Sequence, residues 1–305
     1  VKKILLIIFL MVIFCYRPSQ AGQEILVVQS IRIKPYEEAL KGFKSVCHSR
    51  IQRLVVSELE GADVVRKINE IRPAMILAVG VDALSMVKPI EDIPVVYLMV
   101  PNPRSILSGE KNITGVSMNI PQEKQLTALL DALPGTHTIG LLYDPNRTGH
   151  LVKRAQDFAP KIGVRLIAKE IHNPKDAPTL IFDMKDKIDV FWMLPDITVI
   201  TPETVECLLL LSLENKIPLF TFSAKYVQMG AFMSMDIDAF DMGRQAGEMA
   251  AAIRAGKDAK DLHQAYARKA VVSTNLMIAK KLGIHLSIAM NSINKKIFRK
   301  ALAIN

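Results

Sequence analysis

Polar and charged residues recur in this chain at one kind of place, where an apolar run gives way to a helical pattern. Ser30, Arg32 and Tyr36 follow the first run, Gly80 and Asp82 the third, and Asn102 the fourth. Further on, the turn Asp144-Pro145-Asn146-Arg147-Thr148-Gly149 offers Asn146, Arg147 and Thr148; later turns offer Asp196 with Thr198, then Ser223, then Asp236 and Asp238. The chemistry open to such a set is non-covalent capture of a small solute. Ligands of open parallel sheets bind outside the carboxyl ends of the strands, where helix N-termini present free N–H groups and a positive dipole. Each residue also has a plain structural use. Asp82, Thr148 and Ser223 are good N-cap types, Asp196 is favoured in a turn for its own sake, and Arg147 on a loop can be simply solvated. Tyr36, at a helix start after Pro35, suits either the core or an aromatic wall beside a ligand.

Catalysis would need a nucleophile with its base or a cradle for a cofactor. The chain contains no G-x-S-x-G elbow, no Walker loop and no G-x-G-x-x-G. The turn Ala78-Val79-Gly80-Val81-Asp82 lacks the second and third glycines that let a pyrophosphate approach the backbone. Histidines 48, 137, 150, 172, 263 and 285 never stand at metal-ligand spacing with one another or with the cysteines. No enzyme, no cofactor and no metal site is expected.

The elements that must position these groups alternate strand and helix. The first series reads as strand 24–28, helix 36–46, strand 53–59, helix 62–71, strand 75–79, helix 82–87, and strands 95–99 and 115–118. A helix over 121–133 opens the second series, which continues with strand 138–143, helix 149–162, strand 165–170, helix 177–185, strand 189–194, helix 202–215, and strands 218–222 and 231–235. Apolar runs bounded by turn residues and followed by helices build parallel sheets, so the fold class is α/β, with two doubly wound sheets of about five strands each. After Asp236 come an amphipathic helix over 240–254, a strand over 270–273, a helix over 276–282 and a basic, amphipathic last segment read as a surface helix.

Length and composition agree with two lobes. Lys2 and Lys3, the apolar stretch from Ile4 to Phe14 and the exit Ser19-Gln20-Ala21 form a signal peptide pattern, too short to span a bilayer. Phe14 is too bulky for the small residue a lipoprotein site needs before Cys15, so ordinary cleavage after Ala21 is expected. The 284 residues left sit where one core divides into two. Their net charge falls from +9 to +6 with the loss of Lys2, Lys3 and Arg17, and no basic stripe with interleaved aromatics marks a nucleic-acid surface. Cys47 and Cys207 lie in helices of different lobes and read as separate thiols.

Several stretches in order carry a resemblance. They are Lys34-Pro35-Tyr36 with Ala39-Leu40-Lys41-Gly42-Phe43, Ile93-Pro94-Val95-Val96, 112–117 (NITGVS), 138–146 (TIGLLYDPN), Lys216-Ile217-Pro218-Leu219-Phe220, and Gly243-Arg244-Gln245-Ala246-Gly247. From about residue 24 to 290 the chain resembles the ABC-transporter substrate-binding proteins whose characterised members bind tryptophan and other aromatic amino acids. The resemblance implies a type I periplasmic-binding fold, two α/β lobes joined by three crossing strands that close on a ligand like a hinge. Crossings are then expected near Ser117–Asn119, Met235–Asp238 and Ser273–Asn275. This divides the chain into a leader over 1–21, an N-terminal lobe over 22–117 plus 237–273, a C-terminal lobe over 118–236 plus 274–290, and a surface helix over 291–305.

Asp196 with Thr198, and Asp238, fall where relatives commonly carry the same residues. Relatives often have a glycine-acid pair where this chain has Thr221-Phe222-Ser223, and acidic or small polar residues where it has Arg147-Thr148. A pocket that loses an acid and gains Arg147 points to an anionic ligand over an ammonium group. The resemblance further implies a monomer, periplasmic or otherwise extracytoplasmic, that captures an amino acid or small carboxylate in an interlobe cleft and delivers it to an ABC permease in the inner membrane, with no nucleic-acid partner. The alternative is a ligand-binding sensor module that feeds a signalling receptor.

Overall fold

The computed structural model describes residues 24–59, 63–284 and 295–298; the leader expected over 1–21 lies outside the described residues. In chain order the elements begin β1 (Glu24–Gln29), α1 (Lys34–Lys44), β2 (Arg50–Val55), α2 (Val64–Ile71), β3 (Met75–Val79), α3 (Val81–Val87), β4 (Val95–Val100) and β5 (Ile113–Ser117). They continue α4 (Gln122–Ala132), β6 (Thr138–Tyr143), α5 (Pro145–Phe158), β7 (Arg165–Glu170), α6 (Ala177–Phe182), β8 (Val190–Trp192), α7 (Pro202–Asn215), β9 (Leu219–Thr221), α8 (Ala224–Met229) and β10 (Met233–Ile237). The last are α9 (Ala239–Arg254), β11 (Ala265–Tyr266), β12 (Ala270–Asn275), α10 (Leu276–Leu282) and β13 (Lys295–Phe298).

Two compact units result, one running to Met118 and resuming over Ala239–Ala265, the other made of Asn119–Asp238 and the chain from Tyr266 onward. Their sheets run β11-β5-β4-β3-β1-β2 and β13-β12-β10-β9-β8-β6-β7. The inner strands β1, β3 and β4 are buried on both faces, as their unbroken apolar runs require of strands covered by helices on either side. In the first unit, Leu26, Val28, Ile76, Ala78, Val95 and Tyr97 pack against Val64 and Ile68 of α2 and Leu84 and Val87 of α3. Helices α1 and α9 pack together along the rest of this unit. They approach backbone to backbone: a Cβ on Gly42 would enter the Phe240 carbonyl, and one on Gly243 would enter the Ala39 carbonyl. In the second unit, Leu126, Leu129, Val152 and Ile278 cover one face of the sheet with Trp192 and Phe220 at its centre, whose rings stack at 6.2 Å. Ile181, Met184, Leu208 and Leu209 cover the other.

The fold differs from the sequence reading where pairing overrides local pattern. The sheets have six and seven strands, because β11, β12 and β13 add to the edges. β12 lies antiparallel to β10, so the second sheet is mixed. That pairing also carries residues 266–273 into the second unit, and the third passage between units falls at Ala265–Tyr266, ahead of the expected Ser273–Asn275. The first two passages fall after Met118 and after Asp238. β2 begins at Arg50 and stops at Val55 because its register is set by β1, from Glu24 opposite Arg50 to Gln29 opposite Val55. The surface helix expected over 291–305 is, in its described part, the strand β13, parallel to β12. The remainder of that segment lies outside the described residues.

Candidate functional site

Both units present the carboxyl ends of parallel strands, and most of the expected residues stand there, one group in each unit. In the first unit Ser30 ends β1. Its N–H donates to Val79 O at 2.9 Å, and its buried hydroxyl accepts the N–H of Ala83 at 3.0 Å. Gly80, the residue before α3, has no side chain to cap that helix, so Ser30 caps it from the neighbouring strand. Gly80 has φ +95, and a Cβ there would stand 2.6 Å from both the Ser30 Oγ and the Tyr36 hydroxyl. The glycine thus lets the Tyr36 ring close over the start of α3. Burial raises the Tyr36 phenol above its ordinary pKa, and the nearby Asp82 charge adds to the rise. Asp82 is exposed in the first turn of α3. Asn102, half-buried, precedes the short turn Pro103–Ser105 and accepts the Ser105 hydroxyl at its carbonyl, 2.7 Å away. The chain reaches it through a bulge in β4, where Met99 has φ +59. Arg32 is paired with Glu58.

The second unit builds a closed polar knot. Asp196 is fully buried; its Oδ1 accepts the Thr198 N–H at 2.9 Å, and its Oδ2 accepts the Asp144 N–H at 2.8 Å and the Thr148 hydroxyl at 2.5 Å. Asp144 answers in kind. Its Oδ2 accepts the Thr198 hydroxyl at 2.8 Å and its Oδ1 the Asn146 N–H at 3.0 Å, which caps α5. The Thr198 hydroxyl and the Asn146 N–H hold the Asp144 carboxyl below the usual carboxylate range, with His172 and Arg147 helping electrostatically. Arg147 itself is exposed one turn into α5. Thus Thr148, Asp196 and Thr198 come together, and the burial of Asp196 commits its carboxylate to holding two loops. The remaining candidates stand apart. Ser223 caps α8 through Lys225 N at 3.4 Å, Asp236 accepts the Ser234 hydroxyl at 2.7 Å, and the Asp238 N–H donates to Lys269 O at 3.2 Å.

Two features of these edges were missed in the sequence. Asp144 is the hub of the second group, and the Asp-Pro step at a helix start was its signal. The other is apolar. Ile31, Ile33 and Val81 stand 41%, 37% and 42% exposed around Ser30, Tyr36 and Gly80, and Ile197 stands 68% exposed between Asp196 and Thr198. Each is an apolar residue just past a strand end, beside a polar candidate.

A family described as ABC transporter substrate binding protein matches over residues 55–296. The chain belongs to that family. A tyrosine-binding protein of Clostridioides difficile (strain R20291) is 24% identical over 180 residues, 56% of this chain and 52% of that protein, so the match spans about half the length of the curated relative. Among solved structures, a substrate-binding protein with adhesive properties from Clostridium difficile, in its ligand-free, open form, superposes with a TM-score of 0.77 at 21% identity, over 91% of this chain and 100% of that one. A domain from Streptococcus pneumoniae in complex with L-Trp gives 0.65 at 18% identity, again over 91% and 100%. This substrate-binding protein therefore has the type I periplasmic-binding fold that its sequence resembles. Among the described residues, no helix is long and apolar enough to cross a membrane.

Proposed function

We propose that this substrate-binding protein is an exported, non-catalytic receptor for an amino acid with a large apolar or aromatic side chain, which it delivers to a membrane permease outside the cytoplasm. The observation that carries the reading is the exposure of Ile31, Ile33 and Val81, which flank Ser30, Tyr36 and Gly80 in the chain, at a strand end where the Tyr36 hydroxyl lies against Gly80. Large apolar side chains left open beside polar strand ends suit a ligand-binding surface, in which apolar walls supply affinity and a few polar groups fix orientation. Tyr36 offers a ring face and a hydroxyl. In the second unit, exposed Ile197 and Arg147 offer an apolar contact and a cation for a carboxylate. Relatives named for tyrosine binding and solved with L-Trp support the same solute class. The expectation of an anionic solute is narrowed accordingly: Arg147 meets the carboxylate that every amino acid carries.

Closure on the solute follows from its preference for one state of the receptor over another. Thermal denaturation of the protein from Gly22 onward, against the twenty amino acids and a set of small carboxylates, tests the reading. Tyrosine or tryptophan should raise the midpoint by mass action, and calorimetry should give one site per chain. A flat screen, or a response confined to dicarboxylates, removes the apolar amino acid as the solute.

A further inference from the structure

In the second unit, one face of the sheet carries a row of three hydroxyls, one on each of three neighbouring strands. Ser234 of β10 stands directly opposite Thr221 of β9 and Ser273 of β12. All three are buried, at 0%, 0% and 1% exposure. Their neighbours along the strands, Phe220, Met233, Met235 and Val272, point the other way into the main apolar cluster. Helix α8 packs over β10 and β12, and Asn275 Nδ2 donates to its Val227 carbonyl at 3.0 Å. The Ser234 hydroxyl donates to Asp236 Oδ2 at 2.7 Å, whereas Thr221 Oγ1 and Ser273 Oγ have no hydrogen-bond partner among the described residues. A buried hydroxyl left without a partner is destabilising, and ordered water is one of the partners that buried polar groups take.

Strand spacing says what can satisfy them. Facing residues of neighbouring strands lie about 4.5–5.5 Å apart, and side chains that stand off the sheet keep roughly that separation. A hydroxyl–hydroxyl hydrogen bond needs about 2.7–2.8 Å, and neither Thr221 Oγ1 nor Ser273 Oγ makes one with Ser234 or with any other described residue. One water in each gap, at about 2.8 Å from both neighbours with an angle of about 120°, closes it. Each water then accepts one hydroxyl and donates one O–H to Ser234, with its second O–H directed out of the row. Ser234 gives its O–H to Asp236 and has two lone pairs, one for each water; Thr221 and Ser273 each give their O–H to the water beside them.

We propose that two internal waters lie in this row, one bridging Thr221 Oγ1 and Ser234 Oγ and the other bridging Ser234 Oγ and Ser273 Oγ, so that α8 rests on a hydrated strip of sheet ending at Asp236. The assignment does not depend on which solute the protein carries. A crystal structure at a resolution that orders internal solvent should contain a peak at hydrogen-bond distance from each pair. Dry gaps overturn the proposal, as does a peak with several oxygens at about 2.4 Å, the signature of a cation. Stability gives an independent reading. Thr221→Val keeps the shape and removes the hydroxyl. With a bridging water it deprives that water of a partner, and the melting midpoint should fall by about 2–4 °C. An unchanged or higher midpoint means the hydroxyl was an orphan and also overturns it. If Thr221→Val does not fold, Ser273→Ala reads the other gap with the same signs.

Discussion

The strand edges of the two units hold their loops by opposite means. In the first unit a single serine hydroxyl caps a helix across strands, a glycine makes room for a tyrosine ring, and three apolar side chains are left open. In the second, two aspartates and two threonines turn inward and satisfy one another. A carboxylate at a strand end is therefore poor evidence of ligand contact until its internal partners are counted. The open isoleucines and valine beside Tyr36 are better evidence, because nothing in the unit's own architecture requires them to face outward.

Asp196→Ala should give the largest break in this contrast. It leaves the Asp144 N–H, the Thr148 hydroxyl and the Thr198 N–H without an acceptor in a buried place, and urea denaturation should register a loss of about 3 kcal/mol or more. An effect confined to solute affinity, with stability intact, would mean the knot is not what holds the second edge. Gly80→Ala comes next. The added Cβ meets the Tyr36 hydroxyl and Ser30 Oγ at 2.6 Å in a backbone conformation with φ +95, so a loss of about 1–2 kcal/mol is expected. Solute affinity should fall with it as the Tyr36 ring is displaced.

Thr198→Val should weaken the second unit by about 1 kcal/mol at neutral pH and leave a pH signature. Asp144 is held below its ordinary range in the fold, chiefly by the Thr198 hydroxyl. A carboxylate so held contributes stability that is present above its unfolded pKa, about 3.9, and lost as pH falls through the folded value. The gap between wild type and variant in urea midpoint should thus be widest near pH 7 and narrow below about pH 4. A constant gap would show that the hydroxyl does not act through Asp144. Arg147→Ala should be the smallest in stability, within about 0.5 kcal/mol, while amino acid affinity drops by roughly tenfold, about 1.4 kcal/mol. Calorimetry on the two proteins separates these.

The runs that form β1, β3, β4 and β6 were legible because an unbroken apolar stretch between turn residues has few other uses, and the turns that carry Thr148, Asp196 and Thr198 were legible as polar strand ends. Partnership was not legible. No local pattern marks β12 as antiparallel to β10, and the two residues of β11 and the six of α8 are too short to carry a period. The cap given to α3 by Ser30 joins residues 53 apart in sequence, and the role of Asp144 depends on a turn 52 residues downstream. Such links exist only once the sheet has set strand neighbours.

The contact of Gly42 with Phe240 and of Gly243 with Ala39 also sets an order of assembly. α1 leaves the ribosome early, while its mate α9 lies beyond the whole stretch Asn119–Asp238. That intervening stretch already holds the strands from β6 to β10 and can gather its core during synthesis. The unit that begins the chain therefore waits for α9, with the Gly42 side of α1 uncovered, while β6 to β10 of the other emerge. Closing that long loop is the slow, entropically opposed step, and neither unit has its full sequence until the chain has passed Ala265–Tyr266.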